Sequence, residues 1–275
     1  MLISCVAYQN GRKLGDIPVE DISEYVSRPD CLVWVALFEP SVDELALMAE
    51  EFGLHELAVE DAQKGHQRPK IEEYGDTLFA VMHTLEKHPD DPADFLVGEV
   101  AVFAGRNFVL SVRRGSQQGF ANVRARSERE PEHLAQGAGF VLYALMDEIV
   151  DRYFPILDDL EEALEHLEGQ IFRATPTRAN IESFYDLKYR ITVLSHAVGP
   201  LMDSVGKLFG GRVPAICVGT QEYFRDVYDH LARLATGINA LREMLQTGIQ
   251  VSLTLISLSE GEVTKQLAAW GALIT

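Results

Sequence analysis

Two textures of hydrophobic patterning divide the chain. Up to about residue 130, short apolar runs alternate with helical segments. Residues 2–7, 31–37, 78–82, 97–103 and 108–112 are rich in Val, Phe, Ile and Leu and predict strands. Residues 19–26 and 42–52 predict helices between them. Ser41 stands at an N-cap position with Glu44 three residues on, a capping-box pattern, and Gly53 supplies a C-terminal stop. Gly105-Arg106-Asn107 lies between two strand runs and predicts a hairpin loop. Arg68-Pro69-Lys70 sets an extended residue before a proline and predicts the start of another strand. The expected result is an α/β sandwich domain with a mixed sheet over residues 1–130.

From there on, apolar residues recur every three or four positions. They do so from Ile149 to Ile171, from Ile181 to Leu208 and from Phe224 to Leu245, the last in a heptad rhythm. Three long helices follow, separated at 174–177 and 210–214. Pro155 and Pro200 lie inside the first two and predict kinks. The expected organisation is two long antiparallel helices over 131–209 and a stalk helix over 215–275. Pro214 is the last proline, and the roughly 60 residues after it would make a helix of about 90 Å. A compact domain of this size is nearer 40 Å across by the usual scaling. Such a helix protrudes, breaks at one of its glycines, or pairs with copies of itself, and the heptad run predicts self-association.

Composition narrows the partners. Of 275 residues, 42 are Asp or Glu and 24 are Lys or Arg, a formal net charge of −18. That balance excludes a phosphate-backbone footprint and favours cations over nucleic acid. Cys5, Cys31 and Cys217 are far apart, so neither a disulfide framework nor a zinc ribbon is expected. The first residues lack a basic n-region and a long apolar stretch, so no signal peptide is expected. No Walker loop, G-x-S-x-G, G-x-G-x-x-G or H-E-x-x-H occurs, so no enzyme is expected. At the end, residues 251–259 are apolar with interleaved hydroxyls, and 267–275 carry no charge and include Trp270. This pattern predicts a chain that stops at the mouth of a transmembrane helix. An apolar helix end docking on its own domain is the alternative.

Two stretches concentrate oxygen ligands. Residues 83–94 bring Glu86, Asp90, Asp91 and Asp94 together with His83 and His88, without the spacing of an EF-hand, so a solvated hairpin loop is the plain alternative. Asp151, Asp158, Glu162 and Glu165 line the helix face opposite an apolar stripe, with Asp147 nearby. That face is either solvated or a loose attractor of hydrated cations. Arg225, Asp226, Asp229 and His230 read as structural, through an i,i+4 contact of Arg225 with Asp229.

Three motifs carry a family resemblance. Glu60-Asp61 followed by His66-Gln67-Arg68-Pro69-Lys70, the run Tyr223-Phe224-Arg225-Asp226-Val227-Tyr228-Asp229-His230, and Glu262-Val263-Thr264-Lys265 together resemble the CorA magnesium transporters over essentially the whole chain. The resemblance implies a cytoplasmic domain gated by intracellular divalent cations, at the inner face of the cell membrane. It implies a homopentamer anchored by membrane helices after residue 275, where the family's Gly-Met-Asn would also follow. Mg2+ would be both cargo and regulator, with Co2+ or Zn2+ as the other candidates. It places a bridging metal between Glu86 of one copy and Gln250 of the next, where the family pattern has a second carboxylate. It makes Asp158, Glu162 and Glu165 the loosely binding acidic face. Thr254, Ser257 and Thr264 would extend a hydroxyl-lined path. A zinc transporter of ZntB type has the same architecture, and a soluble α/β plus coiled-coil scaffold is the reading without transport.

Overall fold

The computed structural model describes residues 1–88, 94–173 and 177–274. Seven strands, β1 (Leu2–Gln9), β2 (Arg12–Asp16), β3 (Cys31–Phe38), β4 (Lys70–Tyr74), β5 (Thr77–Lys87), β6 (Phe95–Ala104) and β7 (Phe108–Arg114), form one sheet in the order β2-β1-β3-β7-β6-β5-β4. β3 and β7 run parallel, with Val35 opposite Leu110, and every other pairing is antiparallel. The sheet is mixed, as expected.

Both faces of the sheet are covered. On one face, α1 (Ile22–Val26), α2 (Val42–Phe52) and α3 (Glu56–Lys64) bury Ile22, Leu45, Met48, Phe52, Ala58 and Ala62 against Val33, Val35, Phe79, Phe103 and Leu110. The helix expected over 19–26 begins as a 3-10 turn at Val19–Asp21 and becomes α-helical at Ile22. α2 starts and stops where its end signals stand. Ser41 and Glu44 exchange capping-box hydrogen bonds, and Gly53 closes the helix at φ 60°, a conformation costly to residues with a Cβ. On the opposite face lie α4 (Ala121–Arg129), the single turn α5 (Pro131–Leu134) and α6 (Ala138–Asp151). Gly11 lies so close to α5 that a Cβ there would clash with the Pro131 carbonyl.

The long helices are α7 (Tyr153–Arg173), α8 (Arg178–Phe209) and α9 (Gln221–Ile274). The helix expected to run through from Ile149 is interrupted at Arg152. The Arg152 guanidinium bonds back to Glu148 at 2.9 Å and to the Gly119 carbonyl at 2.9 Å, and it lies over the Phe120 ring. Pro155 therefore falls in the first turn of α7, where its missing N–H costs nothing, while Pro200 sits inside α8, which runs on past it.

The chain forms two compact units. The first comprises residues 1–153 and 196–233: the sheet, its covering helices, the end of α8 and the start of α9. The second comprises 154–195 and 234–275, and its elements among the described residues are all helices. α9 has 54 residues, about 80 Å at the usual helical rise. Its heptad positions are buried in the chain itself, Phe224, Val227 and Leu231 in the first unit and Ile238, Leu241 and Leu245 in the second. In the second unit a Cβ at Gly237 would strike Leu157, and one at Gly248 would crowd the Phe184 ring. The stripe expected to pair between copies is thus spent on intramolecular packing, and pairing between copies would have to use another face. No helix of the described residues is long and apolar enough to cross a membrane.

Candidate metal centre

The long helices bring together residues that lie far apart in sequence. Asp147 near the end of α6, with Asp226 and His230 one turn apart on α9, place two carboxylates and an imidazole within 4.8 Å of one another. Helical periodicity explains the pair on α9, since positions i and i+4 share a face. The same periodicity points Asp151, one turn beyond Asp147, at His230, with Nδ1 and Oδ1 3.6 Å apart. Asp147 is buried and is held by Arg126, whose Nη2 donates to Oδ2 at 3.2 Å.

The electrostatics suit a cation. Burial raises the Asp147 carboxyl above the ordinary carboxylate range, and Asp151 adds to the rise. The neighbouring Tyr143 phenol is pushed up to about 12, by burial first and then by Asp147 and Asp226. Of Asp147, Asp151 and Asp226, Arg126 pairs with Asp147 alone among the described residues, and a divalent ion would relieve the excess of negative charge. Oxygen donors with retained water suit Mg2+, and the imidazole adds a ligand that Co2+ or Zn2+ prefers.

The residues expected to bind metal are distributed differently. Glu86, near the end of β5 and half-buried, is engaged within its own chain. It accepts hydrogen bonds from the Ser116 hydroxyl and from the backbone N–H groups of Gln117 at 3.3 Å and Gln118 at 3.1 Å. Gln250 is exposed on α9 in the second unit, whereas Glu86 belongs to the first. Asp158, Glu162 and Glu165 are all exposed on α7, as a solvated acidic face requires. Asp90 and Asp91 lie outside the described residues, as does the Thr264 side chain. His83 is engaged within its own chain, its Nε2 2.7 Å from the Gln67 carbonyl. The hydroxyls of Thr254 and Ser257 bond back to the carbonyls of Gln250 and Leu253 on their own helix. Sequence reading assigned Asp226 and His230 a structural role. The available signal was their i,i+4 spacing, and what it lacked was Asp147 as the third partner.

Residues 30–275 match the family described as CorA-like Mg2+ transporter protein. A putative metal ion transporter of Bacillus subtilis, YfjQ, is 31% identical over 233 residues, covering 84% of this chain and 70% of that protein. The cobalt/magnesium transport protein CorA of Thermotoga maritima is 29% identical over 228 residues, covering 82% of this chain and 64% of that one. Among solved structures, full-length CmaX superposes with a TM-score of 0.81 at 18% identity, over 97% of this chain and 81% of that one.

Proposed function

Given that the chain belongs to the CorA-like Mg2+ transporter family, we propose that it is the metal-sensing part of a divalent-cation transporter, with the sensor at Asp147, Asp226 and His230. The family is one of ion transporters and not of enzymes. The observation that carries the reading is the convergence of two carboxylates and an imidazole from α6 and α9 inside the sheet-bearing unit. In this reading the whole protein is an oligomer, a pentamer by resemblance, with this domain on the cytoplasmic side of the membrane. Bound Mg2+ ties α6 to the stalk helix and favours the closed state. When intracellular Mg2+ falls, the site empties and repulsion among Asp147, Asp151 and Asp226 loosens the attachment of α9.

Three further groups take subsidiary roles. Asp158, Glu162 and Glu165 gather hydrated cations without ordering them. Glu86 and Gln250 form a contact between copies through a metal, for which Glu86 must surrender some of the hydrogen bonds it accepts from the 116–118 loop. Zinc or cobalt as the regulatory ion is the second reading, favoured by the His230 imidazole.

Calorimetric titration of the 275-residue chain with Mg2+ tests the site. Saturable binding should be lost in Asp226→Asn while the fold, read by circular dichroism, is kept. Binding of undiminished affinity in that variant would overturn the assignment.

A further inference from the structure

A second site lies on the sheet face covered by α4. A cavity of about 380 Å3 opens between β1, β3, β7 and α4, and its wall includes Trp34, Arg113, Phe120, Arg124, Glu128 and Leu145. Its volume falls in the range of small-molecule sites.

Among the described residues, one polar atom in this wall is buried without a partner, and two guanidiniums beside it lack an ion pair. Trp34 is 1% exposed, and its buried indole N–H has no hydrogen-bond acceptor among the described residues. A buried donor without an acceptor costs about 1–3 kcal/mol. Arg124 lies over the Trp34 ring at 4.6 Å and donates to the Trp34 carbonyl at 3.3 Å. Arg113 lies over Phe38 at 4.2 Å and bonds to the Ser116 carbonyl. Neither guanidinium has a carboxylate at ion-pair distance among the described residues. The neighbouring Lys13 is paired with Asp16, and the Glu128 carboxylate accepts from the Tyr8 hydroxyl at 2.8 Å. Burial lowers the pKa of both arginines, as expected where a cation is desolvated without a counter-ion in contact. In a chain of net charge −18, two such guanidiniums on one partly apolar cavity stand against the general composition.

We propose that this cavity binds a small aromatic anion, with its acidic group on Arg113 and Arg124, its flat body between Phe120 and Leu145, and an acceptor atom for the Trp34 indole N–H. The donor set requires all three features. Guanidiniums recognise a carboxylate or phosphate by charge and planar geometry, the apolar wall excludes a bare hydrated ion, and the indole demands an acceptor. This site shares no residue with the metal centre, so it stands or falls separately.

The test uses the indole itself. The chain holds two tryptophans, and Trp270→Phe leaves Trp34 as the only indole signal. With 15N-labelled protein, adenosine 5′-monophosphate, benzoate and inorganic phosphate are titrated separately while the Trp34 N–H resonance is followed. A saturable shift with at least one of the two aromatic anions is expected, weakened ten-fold or more in Arg124→Gln, with inorganic phosphate at least ten-fold weaker than that probe. Ala125→Phe, on the cavity wall, should block binding without touching either arginine, which separates occlusion from a folding defect. Three results would overturn the proposal: an indole signal unmoved by both aromatic probes at millimolar concentration, equal shifts in Arg124→Gln, or inorganic phosphate binding as well as the aromatic anions.

Discussion

Asp147 Oδ2 and Arg126 Nη2 meet at 3.2 Å, so the most buried carboxylate of the metal centre is already neutralised by a side chain that is half exposed. The guanidinium and a bound cation compete for the same oxygen. Removing the competitor in Arg126→Gln should tighten Mg2+ binding, by up to roughly five-fold if the half-exposed pair is worth up to about 1 kcal/mol. Calorimetry on the variant reads this directly. Weaker binding would mean that Arg126 organises the site and does not compete for it.

The raised pKa of Asp147 fixes a pH dependence. The folded state holds that proton more tightly than the unfolded chain, so Asp147 contributes stability below the ordinary carboxylate range and loses it as pH rises through its raised value. Asp147→Asn removes this dependence. Urea unfolding without divalent ions should therefore show the parent losing stability relative to the variant as pH rises from 4 towards 7. Mg2+ affinity of the parent should fall over the same interval as pH is lowered, because proton and metal compete. Parallel stability curves for parent and variant would show that Asp147 titrates normally.

Selectivity rests on His230. In His230→Asn an amide oxygen or nitrogen replaces the imidazole, so Co2+ and Zn2+ should lose on the order of ten-fold in affinity while Mg2+, bound mainly by oxygen, changes little. Competition titrations with the three ions give the ratio. An equal loss for all three would make His230 a positioning residue for Asp151 and not a ligand.

How much of this was legible in the sequence follows from the range of each interaction. The bounds of α2 were readable to the residue because Ser41, Glu44 and Gly53 act within one turn. The break at Arg152 was not, because apolar spacing continues from Ile149 through Tyr153 and the groups that hold the break, Gly119 and Phe120, come from another segment. β5 and β6 run past their apolar cores since half of a strand's residues can face a polar surface, as Glu86 does. The heptad stripe was correctly placed, but periodicity says only that a face is buried. Whether the burial is against the same chain or another copy depends on α7 and α8. The metal centre failed for a similar reason: Asp147 was read with its own helix, and Asp226 and His230 with theirs.

The local signal can be tested by itself. Ser41→Ala removes the hydroxyl that accepts from the Glu44 N–H at 3.2 Å and should destabilise the chain by about 1 kcal/mol, without effect on Mg2+ affinity. Denaturant midpoints and calorimetry, measured on the same preparation, separate the two effects. A change in Mg2+ affinity would couple α2 to the metal centre through the sheet.

In the contact proposed between copies, Glu86 already has partners within its own chain. Glu86 accepts three hydrogen bonds from the 116–118 loop, and Gln250 is an exposed amide on α9. If a divalent ion bridges them in the full-length assembly, Gln250→Asp adds a full charge where only a dipole stood. Two unit charges a few ångströms apart at a protein surface interact by about 4 kcal/mol at an effective dielectric of 20. Hydration and the hydrogen bonds that Glu86 gives up offset most of this, leaving a gain on the order of 1–2 kcal/mol, or roughly ten-fold in affinity. The Mg2+ midpoint for protease protection of the assembled transporter should fall accordingly in Gln250→Asp. Glu86→Ala should abolish that gain, while Glu86→Gln, which keeps an acceptor for the loop, should abolish it equally if charge is what matters. If Glu86→Ala lowers protection at every Mg2+ concentration and Glu86→Gln restores the parent curve, Glu86 is an anchor for its own loop and no metal bridges it to Gln250.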